Sequence, residues 1–337
     1  MPTDQHHPEI HNKTNPPLVW IVDSAYTGEL NARIGLAEHL GHPYAIIPLP
    51  NGDPQDYQHR LKQQYAHKAN GSKPNLVVIS GTGEETTAEI ADLKFIFGER
   101  LLNVYLASIL PDELHPRLCE YDLIASPQLI GANIVPLTGV PHKLSRKRLA
   151  AARQQHQDYF GALPRPVIGL LIGGNTRYCD GFDEAHATEL AKRVSRIATS
   201  QEGCLVISNS RRTPARALTA LLNNLDGLSH YFFDWQQIDE SFYHALLAHA
   251  DLFIVTGDSL SMCSEAAYTG KPVLVDLSEN ATECYHRDIV GKLIDHGAAK
   301  PLTDCFVPWE CVPTDPTGAV AEAINSWFSK EVQSQNS

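Results

Sequence analysis

The sequence predicts an α/β protein of two Rossmann-like domains facing each other across a cleft. Three observations predict it. Strand-length apolar runs alternate with helix-period segments, which argues a mainly parallel sheet with helices on both faces. The alternation restarts at Val167, behind Gly161-Ala162-Leu163-Pro164-Arg165-Pro166, a stretch rich in proline and without periodicity. The segment Ala250–Leu277, ADLFIVTGDSLSMCSEAAYTGKPVLVDL, reads as strand, polar loop, helix, turn and strand. A length of 337 residues fits two domains of about 150 residues each. The expected divisions are a disordered tail over 1–16, a first domain over 17–160, a linker over 161–166, a second domain over 167–314 and a final helix over 315–330.

The first half opens with a strand at Leu18–Asp23 and a helix at Gly28–Leu40 that stops at Gly41. A strand at Tyr44–Leu49 leads to a polar helix near Asp53–Lys68. Asn75–Ser80 is a strand, followed by a loop and a helix near Glu85–Gly98. Leu102–Ala107, Tyr121–Ala125 and Asn133–Leu137 read as further strands, and a helix near Ser145–Phe160 closes this half. The second half begins with a strand at Val167–Ile172 and the loop Gly173–Arg177. A helix near Asp183–Ser200 follows. Cys204–Ser208 is a strand, leading through Ser210–Pro214 to a helix ending near Leu225. Tyr231–Asp234 is a strand and Asp239–Ala250 a helix. In the opening segment, Asp251–Thr256 and Val273–Leu277 are strands of β-branched apolar residues. Between them Ser259–Thr269 is helical, with Asp258 or Ser259 as N-cap and Gly270 as stop signal. Helices near Glu283–His296 and Asp315–Phe328 complete the chain.

The net charge is −12 and the sequence pI about 5.7. That balance argues against a general nucleic-acid binder, which needs a net positive face. The longest apolar runs are strand-length, so no transmembrane helix is expected. Residues 1–17 are polar and lack the apolar core of a signal peptide; His6, His7 and His11 read as part of a solvated tail. The 7 cysteines form no C-x-x-C pair, which speaks against a zinc or disulfide framework and for a reducing cytoplasm.

Chemistry gathers at the βα junctions. Ser259, Ser261 and Ser264 crowd the start of a helix that opens at the carboxyl end of a parallel strand, where open α/β sheets bind ligands. Free N–H groups at such a helix start bind phosphate. Glu265, one turn in, is placed to accept hydrogen bonds from a ribose diol. Gly173 and Gly174, before Asn175, let backbone amides approach a diphosphate; Arg177 is either a phosphate partner or a solvated side chain. In Ser208-Asn209-Ser210-Arg211-Arg212-Thr213-Pro214 two adjacent arginines would repel each other without an anion. Ser210 or Thr213 caps the next helix, and Arg211 with these hydroxyls reads as an anion site, Arg212 being free to point to solvent.

The motifs LLIGGNTR, SNSRRTP and TGDSLSMCSEAAYTGKPV fall in that order on consecutive βα junctions. Together they resemble the bacterial members of the ELM family, named for the plant mitochondrial-fission protein and grouped with the GT-B glycosyltransferases. The resemblance runs from Leu18 on and is stronger in the second half. Where the family carries a Gly-His pair followed by Asn, this chain has Gly28-Glu29-Leu30-Asn31. Where the family carries His-Asp, it has Ser126-Pro127-Gln128. The resemblance implies a GT-B architecture, a nucleotide-sugar donor and a glycan or lipid-linked acceptor of the cell envelope. It also implies a first domain that binds the acceptor, and a final helix that crosses back onto that domain. It makes Trp235 to Ile238 a base pocket, against the simpler reading of Trp235 as an apolar anchor.

Three residues are candidate acids or bases. Glu29 sits at a helix start, where the dipole favours the carboxylate, and is either the general base on an acceptor hydroxyl or a residue that satisfies its own helix. Glu84, in Gly81–Thr87, is the alternative base. His142, in Gly139-Val140-Pro141-His142, is the third. No metal triad, Walker A loop or G-x-S-x-G elbow is present, and the first βα loop lacks a dinucleotide fingerprint, so no cofactor or metal is expected. Two other readings stand beside the transferase. One is a sugar-nucleotide epimerase or hydrolase on the same fold, and the other a non-catalytic adaptor. A cytoplasmic location with peripheral membrane contact is expected.

Overall fold

The computed structural model describes residues 16–50, 52–83, 85–108, 114–225 and 227–335. The expected tail, apart from Pro16, and the candidate base Glu84 lie outside the described residues. Two separate six-stranded parallel sheets form. From edge to edge the first runs β2 (Tyr44–Ile47), β1 (Leu18–Val22), β3 (Leu76–Gly81), β4 (Leu101–Leu106), β5 (Leu123–Ser126) and β6 (Ile134–Pro136). The second runs β12 (Lys300–Pro301), β11 (Val273–Asp276), β10 (Leu252–Thr256), β7 (Val167–Leu171), β8 (Cys204–Ser208) and β9 (His230–Phe233). The central strands β3, β4, β7, β8 and β10 are buried along their whole length, as strands covered on both faces must be. Strand order reverses between β1 and β3 in one sheet and between β7 and β10 in the other. Those reversals fix where the site lies.

The first-half helices are α1 (Thr27–Leu40), α2 (Pro54–Ala69), α3 (Thr87–Ala91) and α4 (Leu93–Phe97). Then come α5 (Arg146–Gln155), α6 (Gln157–Gly161), α7 (Glu184–Ser200), α8 (Ala215–Asn223), α9 (Glu240–His249), α10 (Leu260–Tyr268), α11 (Cys284–Asp295) and α12 (Pro316–Gln335). The sequence expects one helix over 85–98. The structure breaks it at Asp92, whose carboxylate is 2.8 Å from Arg117. The helix expected over 145–160 also breaks, at His156, whose ring meets the Ser241 hydroxyl at 2.6 Å.

The packing moves the boundary between the halves. Leu149, Ala152 and Phe160 of α5 and α6 join Leu246, Phe253 and Val273 in the core of the second sheet. The expected linker over 161–166 therefore lies inside the second half, and so does the helix assigned to the first. Burial of these apolar faces, about 1.5–3 kcal/mol per large side chain, outweighs any boundary that proline content suggests. The chain crosses earlier: Leu137 belongs to a core of the first sheet and Leu144 to one of the second. It crosses back near its other end, where Val320, Ala321 and Ile324 of α12 pack with Val19, Leu36 and Leu102. The crossings are tied together at Thr317. Its hydroxyl accepts from the His142 amide and donates to the His142 carbonyl, both at 3.0 Å.

Candidate functional site

The two strand-order reversals face each other across a cavity of about 810 Å³. On the second-half side the loops after β7, β8 and β10 are stitched together before they reach it. The Gly173 amide donates to Thr256 Oγ1 at 2.8 Å. The Gly174 amide donates to Asp258 Oδ2 at 2.8 Å. Thr213 Oγ1 and Ser210 Oγ both donate to the Gly173 carbonyl, and the Asn175 amide donates to the Arg212 carbonyl. Side chains are excluded at both glycines. A Cβ on Gly173 would lie 2.1 Å from Asp258 Oδ2, and one on Gly174, whose φ is +135°, would lie 2.2 Å from the Arg212 carbonyl oxygen.

This corrects part of the sequence reading. The amides of Gly173 and Gly174 bond inward and do not face a diphosphate. Asn175, Ser210 and Thr213 serve the same internal stitching, with Asn175 Oδ1 accepting from the Phe182 amide. Arg212 does not point to solvent; it lies 2.9 Å from Asp258. Asp258 is 3% exposed and does not cap α10. Burial pushes its carboxyl up to about 6, while Arg212 and its hydrogen bonds pull the other way. A buried carboxylate thus orients the guanidinium that lines the cavity.

Ser259 takes the N-cap position of α10 without a side-chain cap, so the first-turn amides are left for an outside acceptor. Ser259, Leu260 and Ser261 line the cavity with Arg177, Arg211 and Arg212. Among the described residues Arg211 has no ion-pair partner, and Arg177 stacks over the Tyr178 ring at 4.4 Å. Ser264 turns away and accepts from the Val140 amide at 2.9 Å, joining α10 to the crossing segment.

Glu265 stands one turn further along α10, outside the lining of this cavity. Tyr243 donates to its Oε2 at 2.7 Å, and burial pushes its carboxyl up to about 7. Trp235 is exposed and Ile238 half-buried. Neither lines the cavity; the Trp235 amide donates to Asn209 Oδ1 at 2.8 Å, which moors their loop to the end of β8.

On the first-half side α1 also starts without a side-chain cap. Its Gly28 backs onto α10, where a Cβ would stand 3.4 Å from Ser261 Oγ. The two helix starts therefore meet across the cleft. Glu29 lines the cavity with Tyr26, Thr82 and Gly83, and Ser108 Oγ lies 3.5 Å from its Oε1. Below it Arg33 is 0% exposed. Its guanidinium donates to the carbonyls of Val22 (2.8 Å), Asp23 (2.9 Å) and Thr82 (3.2 Å), clamping the ends of β1 and β3 together. His142 is not part of the site. It is 2% exposed, packs its ring against Tyr268, and burial pulls its imidazole down to about 4.

Sequence reasoning missed Arg33, because an arginine inside a helix reads as a solvated position. It also missed the start of α11, where Glu283, Tyr285, His286 and Arg287 line the cavity. The only available signal was the polar run Ser278–Cys284 between a buried strand and a helix, the same pattern that marks α10. Among the described residues no three His, Cys, Asp or Glu side chains are grouped to hold a metal ion, and no helix is long and apolar enough to cross a membrane.

Residues 27–328 match the mitochondrial fission ELM1 family. The chain is 24% identical to an uncharacterized protein of Rickettsia prowazekii, over 91% of this chain and 97% of that one. It is 29% identical to the mitochondrial fission protein ELM1 of Arabidopsis thaliana, over 57% of this chain and 45% of the plant protein. Among solved structures it resembles the UDP-GlcNAc 2-epimerase of Methanocaldococcus jannaschii, with a TM-score of 0.58, 12% identity and coverage of 93% and 99%. That enzyme's complex with UDP-GlcNAc and UDP gives a TM-score of 0.52 at 13% identity, with the same coverage. The fold is GT-B-like, two Rossmann-like halves facing across a cleft, and is shared with that epimerase.

Proposed function

We propose that this chain, which belongs to the mitochondrial fission ELM1 family, is a glycosyltransferase that takes its sugar from a nucleoside-diphosphate donor. The observation that carries the reading is the uncapped start of α10, opening on the cavity beside Arg211, Arg212, Ser259 and Ser261. A helix N-terminus and two guanidiniums form a site for a diphosphate. They stabilise the charge that develops on it as the glycosidic bond breaks, so the reading calls for no metal or other cofactor. The relatedness in fold to an enzyme bound to UDP-GlcNAc and UDP supports a nucleotide sugar.

In this reading the nucleoside extends beyond the cavity lining, its ribose toward Glu265, which would exchange its bond from Tyr243, and its base toward Trp235 and Ile238. Glu29 faces the donor from the other half. It takes the proton of an acceptor hydroxyl as that oxygen attacks the anomeric carbon. The acceptor is a glycan or lipid-linked molecule of the cell envelope, reached by a cytoplasmic protein at the membrane surface. Isothermal calorimetry with UDP, GDP, CDP and ADP and their sugar conjugates tests the donor site; micromolar binding of one base class is the expected result. Binding of none of them would favour a non-catalytic adaptor.

A second reading is favoured by the two structures named above, both of an epimerase: the same site acts on the donor alone. Incubation with the nucleotide sugar that binds, without acceptor, separates the two. An epimerised or hydrolysed product marks the second reading, and unchanged donor marks the first.

A further inference from the structure

Beyond the groups assigned to the donor, the cavity wall carries one side chain whose state needs explaining. His286, in the first turn of α11, is 6% exposed and lines the cavity. Its Nδ1 is fully buried without a hydrogen-bond partner. A buried polar atom left unpaired in a native fold points to strain, a functional role or an absent partner. The ring is held on one side by Tyr285, at 4.2 Å between centroids. On its own helix Glu283 accepts from the Thr176 hydroxyl, and Arg287 reaches toward Glu279 at 3.5 Å. Arg177 and the Arg212–Asp258 pair line the same cavity. Burial, and after it the Arg212 charge, pulls the imidazole down to about 4.

A proton on Nδ1 would be an N–H with no acceptor, since that atom is fully buried and unpaired. The ring is therefore neutral at physiological pH, and its useful tautomer places the proton on Nε2. A neutral donor beside a guanidinium suits an oxyanion, since it adds a hydrogen bond without a second repelling charge. We propose that His286 is a binding residue for the distal phosphate of the nucleoside diphosphate, donating from Nε2 as a fixed neutral tautomer beside Arg212. This rests on the donor-site reading above and adds to it a residue on a third βα junction. The role is one of recognition, with no proton transferred.

The test uses glutamine and asparagine as mimics of the two ring nitrogens in the full-length protein. Calorimetry is run with the tightest-binding member of UDP, GDP, CDP and ADP, and with the matching monophosphate. His286→Gln, whose amide N–H falls near Nε2, should keep diphosphate affinity within about threefold. His286→Asn should weaken the diphosphate by about tenfold or more and leave the monophosphate unchanged. Nitrogen-15 histidine spectra, assigned by the signal lost in His286→Gln, should show a neutral Nε2–H ring before and after the diphosphate is added. Equal diphosphate affinity in parent and His286→Asn overturns the proposal while the donor site stands. So does a ring that becomes imidazolium on binding, or an equal loss for mono- and diphosphate. If the parent binds none of the four diphosphates, the donor-site reading falls and this one falls with it.

Discussion

At the β7–β10 crevice a buried carboxylate, Asp258, collects the Gly174 amide and the Arg212 guanidinium. At the β1–β3 crevice a buried guanidinium, Arg33, collects three backbone carbonyls. Both devices answer the same problem. Parallel strands end in carbonyl oxygens and the following helices begin with amides, so each crevice holds unpaired groups of both signs. Tying loops through an anion leaves arginine side chains and the α10 amides for a ligand. Tying them through a cation leaves a carboxylate, Glu29, as the charge facing the cleft. The halves share a fold but line the cavity differently: among the described residues the first half contributes one charge, Glu29, and the second contributes Arg177, Arg211, Arg212 and Arg287 together with Asp258, Glu279, Glu283 and Asp288.

Removing either tie should have the largest effect. Asp258→Ala and Arg33→Met each strand buried partners, and each should lower unfolding free energy by about 3–5 kcal/mol, read by urea denaturation. A loss under about 1 kcal/mol at either site would show that the crevice closes without its charged tie. Next in size is Glu29→Gln. With a confirmed acceptor it should cut turnover about 10²–10⁴-fold and leave nucleotide affinity nearly unchanged, which assigns the first crevice to the acceptor. Full turnover would move the base to Glu84. Glu265→Ala should weaken nucleotide binding by about 1–3 kcal/mol with no change in the folding midpoint large enough to account for it. Parent-like binding would remove the ribose from α10.

A fifth variant, Glu265→Gln, is read through pH. The Glu265 carboxyl is raised to about 7 by burial, so the folded state holds its proton more tightly than the unfolded chain. That contribution to stability is full below the unfolded value near 4.5 and is lost as pH rises through about 7. Glu265→Gln removes the cost of the buried charge. It should raise stability by about 1–2 kcal/mol at pH 8 and by little at pH 4.5, in paired thermal melts. The smallest effect belongs to Ser264→Ala. Loss of its bond to Val140 should cost about 1 kcal/mol and loosen the crossing segment, seen as faster exchange of the Val140 amide.

Much of this was readable in the residues and some was not. Apolar runs such as CLVIS and LFIVT specify strands, because a buried parallel strand tolerates little else. Gly-led and Ser-led loops mark the carboxyl ends where a site forms. The sequence does not reveal which groups the loops use on one another. Gly173 and Gly174 look like a phosphate cradle, yet their amides are consumed by Thr256 at the end of β10 and Asp258 in the loop after it, far along the chain. The sequence assigns Arg33 no role and leaves Arg212 free to point to solvent; the burial of the one and the ion pair of the other depend on contacts across strand crossovers. The boundary misplaced at 161–166 has the same origin. Proline and glycine mark where a helix stops, but which sheet that helix covers is decided by the apolar face of α5.

The return of α12 carries a consequence for how the protein is made. The core that Val19 and Leu102 of the first sheet form with Leu36 of α1 is completed by Val320, Ala321 and Ile324. A nascent chain that has emerged only through β6 still lacks that cover and presents apolar surface to its surroundings. The first half is therefore expected to complete this core only after the second half has been translated. Holdase chaperones are expected on the nascent chain through that interval. A stop codon just ahead of Pro316 should yield an insoluble product with both sets of crevice residues intact in sequence.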